Sequence, residues 1–225
     1  MKAIHKSFES SPLVARVAPF IVFIALTLFQ GRLGESSHYW IYLAKTLVGL
    51  WLVLMSRPFV SEMRWAFGWE AVAVGIAVFI MWVGIDPFYP RLPGMGQSAA
   101  TWNPIAHYGQ SSAVAWLFIV TRILGSTFVV PPIEEVFYRS FLYRYIMKQD
   151  FLSVPLGMFA WTPFIATAAV FGLAHHQWLA GILCGMAYQW LVIRKQRLGD
   201  AMTAHAITNF LLGLWVVWKN AWHFW

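Results

Sequence analysis

A chain of 225 residues that is 60% hydrophobic and only 11% charged lies far from soluble proteins, in which about a quarter of residues carry charge. The formal charge of +7 comes from 16 Lys and Arg against 9 Asp and Glu. These cations gather at the ends of apolar runs, so they read as topology signals and contacts to anionic headgroups, not as a nucleic-acid surface.

The apolar runs approach the roughly 20 residues that a spanning helix needs, and the alternating segments of an outer-membrane barrel are absent. The expectation is an all-α protein: a polytopic transmembrane helix bundle of about eight helical segments, forming a single integral membrane domain over residues 1–225. The one cysteine, Cys184, excludes an internal disulfide and a CxxC site and reads as a packing residue.

In chain order, Met1–Pro12 is short and mildly basic, and the apolar run after it ends in Phe29-Gln30-Gly31-Arg32. That is a poor cleavage context, so the run is expected to be an uncleaved first helix over about Leu13–Gln30. The second segment covers about Tyr39–Ser56, followed by a basic link with Arg57 and Arg64, and the third about Trp69–Ile85, closed by Asp86-Pro87. The link Pro87–Ser112 carries Pro90, Pro93, Gly94, Gly96 and Pro104 and is too broken to span; it is expected to be a surface loop or short lid. Its aromatics, Phe88, Tyr89, Trp102 and Tyr108, suit the membrane interface.

The fourth segment runs from about Ala113 to Val130, where Pro131-Pro132 is expected to stop it. A fifth, about Ile133–Lys148, then starts at Glu134-Glu135. The remaining segments are about Pro163–His175, Trp178–Ile193 and Ala201–Trp218, with the most basic link, Arg194–Arg197, before the last. Gly181-x-x-x-Gly185 permits close helix contact but is common by chance.

The positive-inside rule places the N-terminus, the Arg57/Arg64 link and the Arg194–Arg197 link in the cytoplasm. It strains at the fifth segment, where Arg144 and Lys148 would emerge on the other side. Either that segment is a shallow or re-entrant amphipathic helix, or it continues the fourth through a kink at the prolines.

Three polar constellations interrupt the apolar helices: Glu134-Glu135-x-x-x-Arg139, Phe171-x-x-x-His175 with His176 beyond, and His205-x-x-x-Asn209. Residues four apart share a helix face, so Glu135 can pair with Arg139. His205 and Asn209 can likewise direct donors at one point, as an oxyanion site requires. Glu134, rotated by about 100° from its neighbour, points elsewhere.

Singly, each has a bland explanation: a helix-start carboxylate, a satisfied histidine, an interhelical amide. Together, on three helices of a charge-poor membrane chain, they mark a functional site, because ionisable groups at membrane depth are costly. His5, His38, His107 and His223 read as interfacial or loop residues.

These three motifs, in this order and over about Ala113–Trp218, resemble the CAAX prenyl protease and bacteriocin-processing family, whose eukaryotic members are the Ras-converting endoproteases. The wording Glu134–Leu142 also resembles the prenyl-protease-related proteins associated with bacterial exosortase systems. The resemblance implies an intramembrane glutamate-dependent endopeptidase acting on a membrane-associated peptide or protein tail. It implies an integral protein of the bacterial cytoplasmic (inner) membrane, for which the charge pattern gives a cytoplasmic N-terminus.

By the same resemblance Glu134 works with His175 to activate water, and His205 and Asn209 hold the oxyanion. Glu135 and Arg139, with Phe171, form the supporting set. No cofactor is implied. Two alternatives stand beside this reading. Glu134, His175 and His205 satisfy the three-ligand pattern of a catalytic zinc site, although His-Glu-x-x-His is absent. The same fold can also serve a non-catalytic membrane immunity or partner protein.

Overall fold

The computed structural model describes residues 2–88 and 102–225. Among the described residues every regular element is helical, and there is no strand. The helices are α1 (Lys2–Ser10), α2 (Pro12–Thr27), α3 (Ser37–Ser56), α4 (Trp69–Ile85), α5 (Pro104–Tyr108), α6 (Ala113–Met147), α7 (Trp161–Leu173), α8 (Trp178–Lys195) and α9 (Gly199–Lys219). Among the described residues, three stretches are long and apolar enough to cross a membrane: Ser37–Phe59, Ala113–Met147 and Gly199–Lys219.

Local chemistry sets several ends. Ser11 caps α2, its side chain accepting from Val14 N at 3.3 Å, with Pro12 in the first turn. Asn103 caps α5 in the same way, accepting from Ala106 N at 3.0 Å ahead of Pro104. Gln196 ends α8 in the left-handed region, φ 54°. α1 and α5 lie where the sequence reading expects irregular chain.

The expected break at Pro131-Pro132 is absent. Segments four and five are one helix, α6, of 35 residues. Two π-helical stretches, Gly125–Val129 and Val136–Leu142, flank the prolines. A proline ring collides with the carbonyl four residues back and offers no N–H, and a wider turn relieves both problems. Val130 N–H accordingly reaches five residues back, to Gly125 O, and Tyr143 N–H reaches Tyr138 O. Glu134 and Glu135 therefore lie inside a long helix rather than in a first turn, which removes the dipole explanation for the pair. The re-entrant alternative falls with it.

Two compact units divide the chain: Met1–Val60, Ser98–Ile133 and Asn209–Trp225 in one, Ser61–Gln97 and Glu134–Thr208 in the other. In the first, Lys45 is buried on α3 and donates to Thr27 Oγ1 (3.0 Å) and Gln30 Oε1 (2.9 Å). Trp102 is buried against Tyr39 and Tyr42 rather than presented at a surface, whereas Phe88 is exposed. The rest of the expected lid, with Tyr89, Pro90, Pro93, Gly94 and Gly96, lies outside the described residues.

The second unit is built on close helix approach. A Cβ on Gly181 would meet Gly172 Cα at 2.8 Å, and one on Gly185 would meet Ala168 Cα at 3.1 Å. The small-residue spacing on α8 is thus the seam with α7. Gly75 on α4 is equally tight against Ala204 O of α9, at 2.7 Å from a built Cβ. Arg144 donates to Glu62 Oε1 at 2.9 Å and to Ser140 Oγ at 2.9 Å, while Ser140 Oγ also bonds Glu62. This ties the end of α6 to the link before α4.

Candidate active site

The second unit brings five of the predicted residues, Glu134, Glu135, Arg139, Phe171 and His205, into one contact network, with His175 joined to it through Phe171. Glu135 and Arg139, one turn apart on α6, have side chains fully withdrawn from solvent. Arg139 Nη1 donates to Glu135 Oε1 at 3.2 Å, Nε lies 3.2 Å from Oε2, and Nη2 donates to Gly185 O at 3.3 Å. The guanidinium also sits 4.5 Å over the Phe171 ring.

Glu135 does more than pair with Arg139. Its Oε1 also receives His205 Nδ1 from α9, at 2.8 Å. With Arg139 as counter-ion the carboxylate accepts, so the proton on this bond belongs to Nδ1. The other ring nitrogen, Nε2, then faces Glu134 Oε2 across 4.0 Å. Tyr188 stacks on the His205 ring at 5.2 Å and 27°, and Phe171 meets its edge at 6.1 Å. Tyr188 is itself held: its hydroxyl donates to Thr208 Oγ1 at 2.8 Å, and Thr208 Oγ1 lies within hydrogen-bond reach of Gly75 O and Ala204 O.

His175, just past the end of α7, is oriented by Phe171. Its Nδ1 lies 2.7 Å from Phe171 O, a pure acceptor, so Nδ1 carries the proton and Nε2 is left for other partners. The ring packs on Phe171 at 4.7 Å and against Trp82 at 5.6 Å. Phe171 thus touches Arg139, His175 and His205 at once. His176 is exposed.

Glu134 differs from Glu135 in its surroundings. Oε2 of each is buried without a hydrogen bond, but that of Glu135 faces Arg139 Nε at 3.2 Å, whereas Glu134 is 14% exposed and, among the described residues, has no arginine or lysine paired with it. A carboxylate oxygen held out of water with its bonding capacity unspent is rare in a stable fold.

Asn209 lies in the first unit, where its Nδ2 donates to Ser126 O at 2.8 Å. That carbonyl is an orphan of the proline device. Its usual donor, Val130 N–H, has gone to Gly125 O, and residue 131 has no N–H. Asn209 therefore repairs the backbone of α6, a role the sequence does not reveal.

Among the described residues, no group of three His, Cys, Asp or Glu side chains is placed to hold a metal ion. Tyr188, Trp82 and Thr208 were not foreseen. Their only sequence signal is that Cys184 and Tyr188 lie one turn apart on the Gly181/Gly185 helix.

Long apolar helices and a buried carboxylate–histidine network define an integral membrane protein with an acid–imidazole site. Residues 105–211, which carry all three motifs, match the family described as Type II CAAX prenyl endopeptidase Rce1-like. No curated protein and no solved structure matches the chain.

Proposed function

We propose that this protein is an intramembrane endopeptidase that hydrolyses a peptide bond in a membrane-associated peptide or protein tail, with Glu134 as the base. The observation that carries the reading is the inequality of the two glutamates. Glu135 is spent on Arg139 and His205. Glu134 keeps an unpartnered oxygen 4.0 Å from His205 Nε2, a gap that one water molecule reaches from both sides.

In the first step Glu134 takes a proton from water, with the lone pair of His175 Nε2 available to share it. The water oxygen bonds the scissile carbonyl carbon, and the C=O π pair moves onto oxygen. His205, with Asn209 one turn along α9, supplies donors to that oxyanion. For His205 to donate through Nε2 the ring must carry both protons, and Glu135 at Nδ1 supplies the opposite charge. Collapse of the intermediate breaks the C–N bond, and the leaving amine takes back the proton held by Glu134. Glu135 and Arg139 hold His205 in place and do not exchange protons with substrate.

The test is to map protein termini in membranes from cells carrying the wild type or Glu134→Gln. Termini that vanish in the variant identify substrates and support proteolysis; identical termini overturn it. A zinc hydrolase using Glu134, His175 and His205 predicts bound zinc in the purified protein and activity lost to chelators and restored by zinc. The glutamate reading predicts activity that chelators leave intact.

A further inference from the structure

Among the described residues, the cations held inside the apolar helices are matched to protein oxygens except Arg122; Lys219, the last residue of α9, is exposed and lies over Trp218. Lys45 has Thr27 and Gln30, Arg139 has Glu135 and Gly185 O, and Arg144 has Glu62 and Ser140. Arg122, on the membrane-crossing part of α6, donates to no oxygen among the described residues. Aromatic rings surround its guanidinium instead: Trp102 at 4.5 Å, Tyr42 at 4.8 Å and Trp225 at 5.2 Å. Its nitrogens are not among the buried, unsatisfied polar atoms, and the residue is only partly covered. The five N–H donors are therefore both unspent and reachable.

The rings fix where the group lies and what it wants. Trp102 and Trp225 pack edge to face at 5.4 Å, and Tyr42 and Tyr39 close on Trp102 at 5.6 and 5.0 Å. Such a cage holds a guanidinium by its faces and leaves its hydrogen-bonding edge to an oxyanion. Tyr39, Tyr42 and Trp102 are themselves buried; it is the long cationic side chain, only partly covered on a spanning helix, that extends toward headgroup level. The oxyanion every phospholipid bilayer supplies at that depth is the headgroup phosphate. Its paired oxygens match the guanidinium fork.

We infer that Arg122, framed by Tyr42, Trp102 and Trp225, is a binding site for the phosphate of a membrane phospholipid. The site is separate from the acid–imidazole network and needs none of its residues.

The test uses full-length protein in a non-ionic detergent, with native mass spectrometry and thermal unfolding as readouts. The probes are dioctanoyl-phosphatidylglycerol, dioctanoylglycerol with the same chains and no phosphate, and inorganic phosphate. The phospholipid is expected to give a saturable adduct and a raised melting temperature, and the other two probes are not. Arg122→Gln, which loses a charge-assisted pair, is expected to bind the phospholipid about 10-fold or more weakly. Arg122→Lys, which keeps the charge but loses the fork, is expected to fall between.

Equal response of the wild type to dioctanoylglycerol and phospholipid overturns the inference without any variant. So does equally tight binding of inorganic phosphate, which would make this a free-anion site. Unchanged affinity in Arg122→Gln also overturns it. Displacement of the lipid by a hexapeptide with a free C-terminal carboxylate, but not by its amide, would reassign the site to a peptide tail.

Discussion

Glu135 accepts His205 Nδ1 at 2.8 Å with the same oxygen that receives Arg139. A carboxylate from α6 thereby determines which nitrogen of a histidine on α9 is left to work. The adjacent Glu134 has no such duty. This division makes the two neighbours separable by experiment.

Glu135→Gln strands the buried Arg139 charge. Breaking a buried pair by removing one partner typically costs about 3–5 kcal/mol. The expected outcome is a clear fall in melting temperature in detergent together with loss of turnover. Normal stability in this variant would show that the pair does not hold the second unit together.

Glu134→Gln should leave the melting temperature unchanged or raise it, since Oε2 has no partner to lose. Turnover should fall by about 10²–10⁴-fold, the usual contribution of a positioned general base. Peptidase assay and thermal unfolding on one preparation check both halves of the statement.

Asn209→Ala removes the donor to Ser126 O as well as the proposed oxyanion donor. A membrane hydrogen bond of this kind is worth about 1–2 kcal/mol at most. The stability part should depend on the proline device. In a Pro131→Ala background, where residue 131 regains an N–H for the carbonyls of that turn, the cost of Asn209→Ala should shrink. A double-mutant cycle on unfolding reads this coupling directly. The loss of turnover should persist in both backgrounds.

Tyr188 positions His205 through its ring. Tyr188→Phe keeps the stack and should change turnover little, whereas Tyr188→Leu should lower kcat with KM nearly constant. An equal loss in both variants would place the effect in the hydroxyl and Thr208 instead.

Gly181→Ala would press a methyl group onto Gly172 Cα, at 2.8 Å from the ideal position. Overpacking of this kind costs about 1–3 kcal/mol. It should also lower activity, because Phe171 and His175 ride on the displaced end of α7. Ala168→Gly, which makes room on the same seam one turn away, should not rescue it; Gly172 is the contact.

Composition alone determined the class. So little charge among so many apolar residues cannot make a soluble surface, and only helices satisfy their own backbone within short continuous runs. Spacing alone also determined the Glu135–Arg139 pair, since the two lie one turn apart on a single helix. Local rules misled at Pro131-Pro132, because they describe an α-turn and the chain uses π-turns, with Asn209 bonding the carbonyl left over. That bond joins residues 83 positions apart, and the Glu135–His205 bond joins residues 70 apart. No periodicity encodes which face of α9 meets which turn of α6. Packing decided it, and with it which ring nitrogen of His205 faces Glu134 and the different surroundings of two adjacent glutamates.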